Sequence, residues 1–230
     1  MSNRKQLLLL FLIFVVSVVI WHIPFAGVLL YPFNLFATYI HEFSHALMAI
    51  LTGGEVNSIS INHDGSGLAI TTGGIPILIA SGGYLGSSII GGILLILAVD
   101  SNKVVSKITL FIIMLLMLAC LIFFVRDIFT FIATIFFVSI AALIIFKTSA
   151  TVAQWFLGFL AIQSCFYSVY DINVLIGVTF KGHQHNDALM MQHLTLIPAP
   201  VWAILWLLIS FVVFGLVLFF IYKFSDSKEA

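Results

Sequence analysis

His41-Glu42-Phe43-Ser44-His45 is the stretch of this sequence whose residue types and spacing could do chemistry. Two histidines four apart lie on one face of a helix, so both imidazoles can reach a single ion, and the glutamate after the first falls beside any water that ion binds. A zinc ion (Zn2+) held by imidazoles at about 2.0–2.1 Å lowers the pKa of its water towards 7. Glu42 could then take the proton of that water as it attacks a peptide carbonyl, which is general-base hydrolysis. The motif lies inside an apolar run, between Tyr39-Ile40 and Ala46-Leu47-Met48. Two histidines and a carboxylate buried there are costly unless they pair or hold a metal.

A catalytic zinc site uses three protein ligands and keeps one position open. With His41 and His45 supplying two, the first candidate for the third is Asp171, towards the end of the sixth apolar run, within Phe166–Leu175. Asp187 is the second candidate, with His183, His185 and His193 behind it. The segment Gly182-His183-Gln184-His185-Asn186-Asp187 otherwise reads as a solvated loop: Asn186 is placed to cap a short helix from Asp187 to Leu194, with Asp187 in the first turn, where a negative charge suits the helix dipole. His22 and His63 read as interfacial polar residues.

The elements that must position these groups are membrane helices. Of the 230 residues, 62% are hydrophobic and 8% charged, with a mean hydropathy of +1.23, whereas a soluble domain carries about 25% charged residues. Apolar runs place spans near 7–30, 34–51, 75–98, 107–125, 128–146, 152–176 and 200–222, seven in all with six possible, in one polytopic domain over 1–230. Arg126 and Asp127 leave almost no loop between the fourth and fifth spans, which should form a tight hairpin. Arg4 and Lys5 favour a cytosolic N-terminus, which would put the segments 53–74 and 177–199 together on the cytosolic side. The net charge is zero and no basic run exceeds two residues, so no nucleic-acid partner is expected. The expected partner is the lipid bilayer, and the expected location an integral, multi-pass place in the cell membrane. Cys120 and Cys165 both fall in apolar runs and read as packing residues.

Between the second and third spans, Val56, Ile59, Ile61, Leu68 and Ile70 alternate with polar residues around Asp64-Gly65, the pattern of a β-hairpin. Ile59 and Ile61 are its candidate substrate-binding positions, on the idea that an extended peptide adds to the hairpin as a strand. The third span opens with Ser81-Gly82-Gly83-Tyr84-Leu85-Gly86-Ser87-Ser88, a face of small residues that lets another helix approach closely, the second span being the expected neighbour.

The stretch HEFSHALMAILTGGEV, the SGGYLGSS segment and the late YDINVL segment together resemble the site-2 protease family of intramembrane zinc metallopeptidases, in its small branch without a PDZ domain. The resemblance covers about Leu35 to Trp206. It implies zinc ligands at His41 and His45, a catalytic base at Glu42 and a third, aspartate ligand, placed on Asp171. It also implies a membrane-protein substrate, cut within a transmembrane segment. Tyr170-Asp171-Ile172 lacks the prolines and glycine that surround the aspartate in larger members. The rival from another class is a metal carrier or a non-proteolytic scaffold that binds membrane partners; the presence of Glu42 beside the metal-ligand pair, and the lack of a second His-Glu motif, speak against it.

Overall fold

The computed structural model describes positions 12, 15, 16, 19 and 20 and residues 27–100, 102–181 and 186–226, with the backbone alone described at 27, 29, 166–181 and 224–226. Most of the first expected span therefore lies outside the described residues, as do His22, His183, His185 and the side chain of Asp171. Within them the chain is helical apart from one hairpin: α1 (Gly27–Leu51), β1 (Glu55–Ile61), β2 (Gly67–Thr72), α2 (Pro76–Ala98), α3 (Val104–Phe123), α4 (Ile128–Lys147), α5 (Ala150–Lys181), α6 (Asp187–Thr195) and α7 (Ala199–Asp226).

α2, α3, α4 and α7 are long and apolar enough to cross a membrane by length and composition. α1 and α5, at 25 and 32 residues, have the length as well, and α1 carries the histidine motif. The helices begin where the chain chemistry says they can. Pro76 opens α2 after an extended Ile75, because proline needs no amide partner in a first turn. Asp127 opens α4 by accepting the Thr130 amide at 2.8 Å. Asn186 opens α6 by accepting the Leu189 amide at 2.9 Å, the cap expected from the sequence.

α1 and α2 meet through the small-residue face. A Cβ added at Gly86 would lie 2.5 Å from Ser44 Cβ, and one at Gly82 would lie 2.7 Å from Met48 Cγ, so the two backbones are closer than side chains would allow. α7 lines the other side of α2, joined by a Ser88 to Ser210 hydroxyl bond of 2.7 Å. α5 packs against α1, α2 and α7. Buried side chains form two clusters. The larger runs through α1, β1, the end of α2, α3–α5 and Ile221 of α7, and includes Phe36, Tyr39 and Leu157. The smaller gathers Ala80 and Tyr84 of α2, Ala188 and Met191 of α6, and Ala199, Ala203 and Trp206 of α7.

The hairpin is antiparallel, pairing Ser60 with Leu68 and Ile59 with Ala69. Its turn is closed by the Gly65 amide on the Asn62 carbonyl at 3.0 Å and by the Asn62 amide on the Ser66 carbonyl at 2.8 Å, with Gly65 at φ 87°. That is a turn followed by a left-handed residue, where glycine carries no steric cost. Ser66 donates its amide and hydroxyl to Asp64, which holds that exposed carboxyl below its usual range. Tyr31 and Thr38 of α1 donate to the carbonyls of His63 and Gly65, at 2.7 and 2.8 Å, and tie the tip down along α1.

The outer edge of β1 is already covered. The Ile59 amide donates to the Phe124 carbonyl at 3.0 Å, and the Ile61 amide to Thr130 Oγ1 at 2.7 Å. Both side chains are in the larger core, at 0% and 2% exposure. The amides of Ile59 and Ile61, where a substrate strand was expected to add, are taken by Phe124 in the α3–α4 connection and by Thr130 in the first turn of α4. In an antiparallel pair, residues opposite one another both point outward or both point inward. Since Ile59 points away from β2, its partner Ala69 turns its own amide and carbonyl to the opposite side, and the edge left for an added strand is β2.

Candidate metal centre

Four residues apart on α1, His41 and His45 bring their Nε2 atoms to 3.0 Å from each other. The Nδ1 of His45 lies 2.7 Å from the Ile79 carbonyl of α2. A carbonyl only accepts, so Nδ1 carries the proton and the neutral ring offers a bare Nε2 to the site. α6 completes the group from the far side: Asp187 Oδ2 is 3.3 Å from both Nε2 atoms. His41, His45 and Asp187 are the one cluster of such side chains among the described residues that could hold a metal ion.

The donor set suits zinc. Three donors at about 2.0–2.1 Å from one tetrahedral zinc stand roughly 3.3 Å from each other, and the observed spacings are 3.0, 3.3 and 3.3 Å. Gly83 of α2 backs the pair. A Cβ there would fall 2.3 Å from His41 Nε2 and 2.4 Å from His45 Nε2, so only a residue without a side chain leaves these nitrogens free to face an ion. Glu42 is buried beside them, and Gly67 of β2 covers it: a Cβ on Gly67 would lie 2.3 Å from Glu42 Oε1. The hairpin edge and the carboxylate are therefore in direct contact.

Of the residues singled out from the sequence, the structure brings His41, His45 and Asp187 together and sets Glu42 next to them on the same helix. It buries Ile59 and Ile61 away from an open edge. The aspartate it joins to the histidines is the second candidate, while the side chain of the first, Asp171, lies outside the described residues. Two contacts were not legible in the sequence: Gly67 on Glu42, and the Tyr84 ring, which meets the His41 ring edge-on at 4.7 Å.

A family model described as Peptidase M50B-like matches residues 9–217. The chain belongs to this family. Peptidase M50B-like proteins are metallopeptidases of the site-2 protease kind, so the resemblance drawn from the HEFSHA, SGGYLGSS and YDINVL segments holds, and with it the coarse reading of a membrane protein with protease ancestry. No curated protein and no solved structure matches the chain.

Proposed function

We propose that this M50B-like protein is a zinc-dependent endopeptidase that cuts the membrane-embedded segments of other proteins. The observation that carries the reading is the convergence of His41 Nε2, His45 Nε2 and Asp187 Oδ2 within 3.3 Å of one another, with Glu42 on the same turn of α1. These three residues would hold the metal. When bound, zinc supplies Lewis acidity and a water acidic enough to ionise near neutral pH. Glu42 is the group placed to accept the proton of that water and later to return it to the leaving amine.

The level of the site supports cleavage below the membrane surface. Gly83, against which both imidazoles rest, is two turns into α2, roughly 10 Å from its start at the rise of an α-helix. A helical peptide bond is hydrogen-bonded and shielded, so the substrate must be extended locally, and the open edge of β2 can hold such a stretch by main-chain pairing at Gly67, Ala69 and Thr71. Gly67 would then deliver it beside Glu42.

The test is the zinc content of the detergent-purified protein together with cleavage of a membrane-anchored substrate. We expect one zinc per chain in the wild type, lost in His41→Ala and Asp187→Asn. Glu42→Gln should keep the metal and lose about 10²–10⁴-fold in rate, the usual contribution of a general base. Zinc that survives Asp187→Asn but not Asp171→Asn would transfer the third position to Asp171. A wild type that binds no zinc would overturn the reading.

A further inference from the structure

The two parts of the metal centre belong to different packing clusters. His41 and His45 sit on α1, whose Tyr39, Ile40 and Ala46 belong to the larger core. Asp187 begins α6, whose Ala188 and Met191 belong to the smaller one. α6 itself packs on α2 and α7. Something must set how far Asp187 stands from the imidazoles, and the residue of the smaller cluster that reaches across is Tyr84.

The Tyr84 ring is buried, meets His41 edge-on at 4.7 Å and 86°, and lies flat on Trp206 of α7 at 5.0 Å and 16°. Trp206 is 1% exposed, shares its cluster with Ala188 and Met191, and has Trp202 at 6.4 Å. Trp202 in turn donates its indole N–H to Thr195 Oγ1 at the end of α6, at 3.1 Å. The α6–α7 turn is further fixed by the Ala199 amide on Gln192 Oε1 at 2.8 Å. A run of aromatic rings thus links the helix that carries Asp187 to the face of His41. Planar rings in edge and stacked contact have few ways to shift, because their packing is directional.

We propose that Tyr84, braced by Trp206, is a positioning residue of the metal centre: it fixes the His41 imidazole and spaces the Asp187 helix from α1, so that three ligands converge on one ion. The inference rests on the metal-centre reading above. Groups that orient first ligands typically change metal affinity by 10–100-fold when removed.

The experiment loads the full-length, detergent-purified protein with Co2+ and reads both its d–d absorption and its affinity in competition with a chromophoric chelator. Tyr84→Leu and Trp206→Leu should bind Co2+ 10–100-fold more weakly, with an altered absorption spectrum, and Tyr84→Phe should restore both. Ser88→Ala is the control for mere loosening. It breaks the bond to Ser210 on the same α2–α7 interface and the same hydroxyl's bond to the Tyr84 carbonyl one turn back, leaves both aromatic rings in place, and should lower the melting temperature without moving the spectrum. Wild-type affinity and spectrum in folded Tyr84→Leu and Trp206→Leu would overturn the positioning role alone. A wild type with no Co2+ spectrum would overturn the metal centre, and the positioning role with it. A spectrum shifted as much by Ser88→Ala as by Trp206→Leu would also overturn it, since helix packing in general would then explain the effect.

Discussion

Gly67 and Glu42 touch so closely that one methyl group separates a working base from a displaced one. A Cβ at position 67 would stand 2.3 Å from Glu42 Oε1 and 2.6 Å from its Cγ, so Gly67→Ala must move the carboxylate, the strand or both. Misplacement of a reacting group by about 1 Å can cost on the order of 100-fold in rate. We expect Gly67→Ala to lower kcat by at least 10-fold while zinc content stays at the wild-type level, measured on the same preparation. At this scale the histidine motif was fully legible, because its geometry is set by one helix turn. The aspartate that joins the two histidines was legible only as a second candidate. Asp187 is 146 positions from His41, and no spacing rule spans a gap closed by tertiary packing. The cue that was available is local: Asn186 caps a helix whose first residue is Asp187 and whose Ala188 and Met191 fall on the buried side.

Among the elements, the hairpin and most helices were foreseeable from alternation and apolar runs, but the expected break between the spans 7–30 and 34–51 is helical. α1 begins earlier than expected, at Gly27 with Pro32 inside it, and α5 continues to Lys181. Which edge of the hairpin is free was not foreseeable, because the cover on β1 comes from Phe124 and Thr130, more than 60 positions away. The cover is also structural. Thr130→Val would leave the buried Ile61 amide without its acceptor, at a cost of about 1–3 kcal/mol. A lower melting temperature in detergent, with zinc affinity unchanged, is the expected result. On β2, Ala69→Pro removes an outward amide and should reduce cleavage of a membrane substrate at least 10-fold while leaving the fold intact, as a helical circular-dichroism signal and unchanged zinc binding would report. Activity equal to wild type would rule out strand addition at this edge.

For the whole molecule, family membership and architecture agree: helices long enough for the bilayer surround a polar site that lies two turns inside α2. Composition made that architecture readable, since a chain with 8% charged residues and a mean hydropathy of +1.23 has few other solvents open to it. What composition could not carry is the division of the core into two clusters. That division has a kinetic consequence. A bound ion would tie α1 directly to α6, so its escape requires only that α6 swing away, not that the bundle melt. Chelation should therefore raise hydrogen exchange in α6, from Met190 to Thr195, while amides in α3 and α4 exchange as before. The residence time of the metal would then be governed by the opening frequency of a nine-residue helix, and a mutation that tightens α6 against α2 would slow zinc loss without touching any ligand.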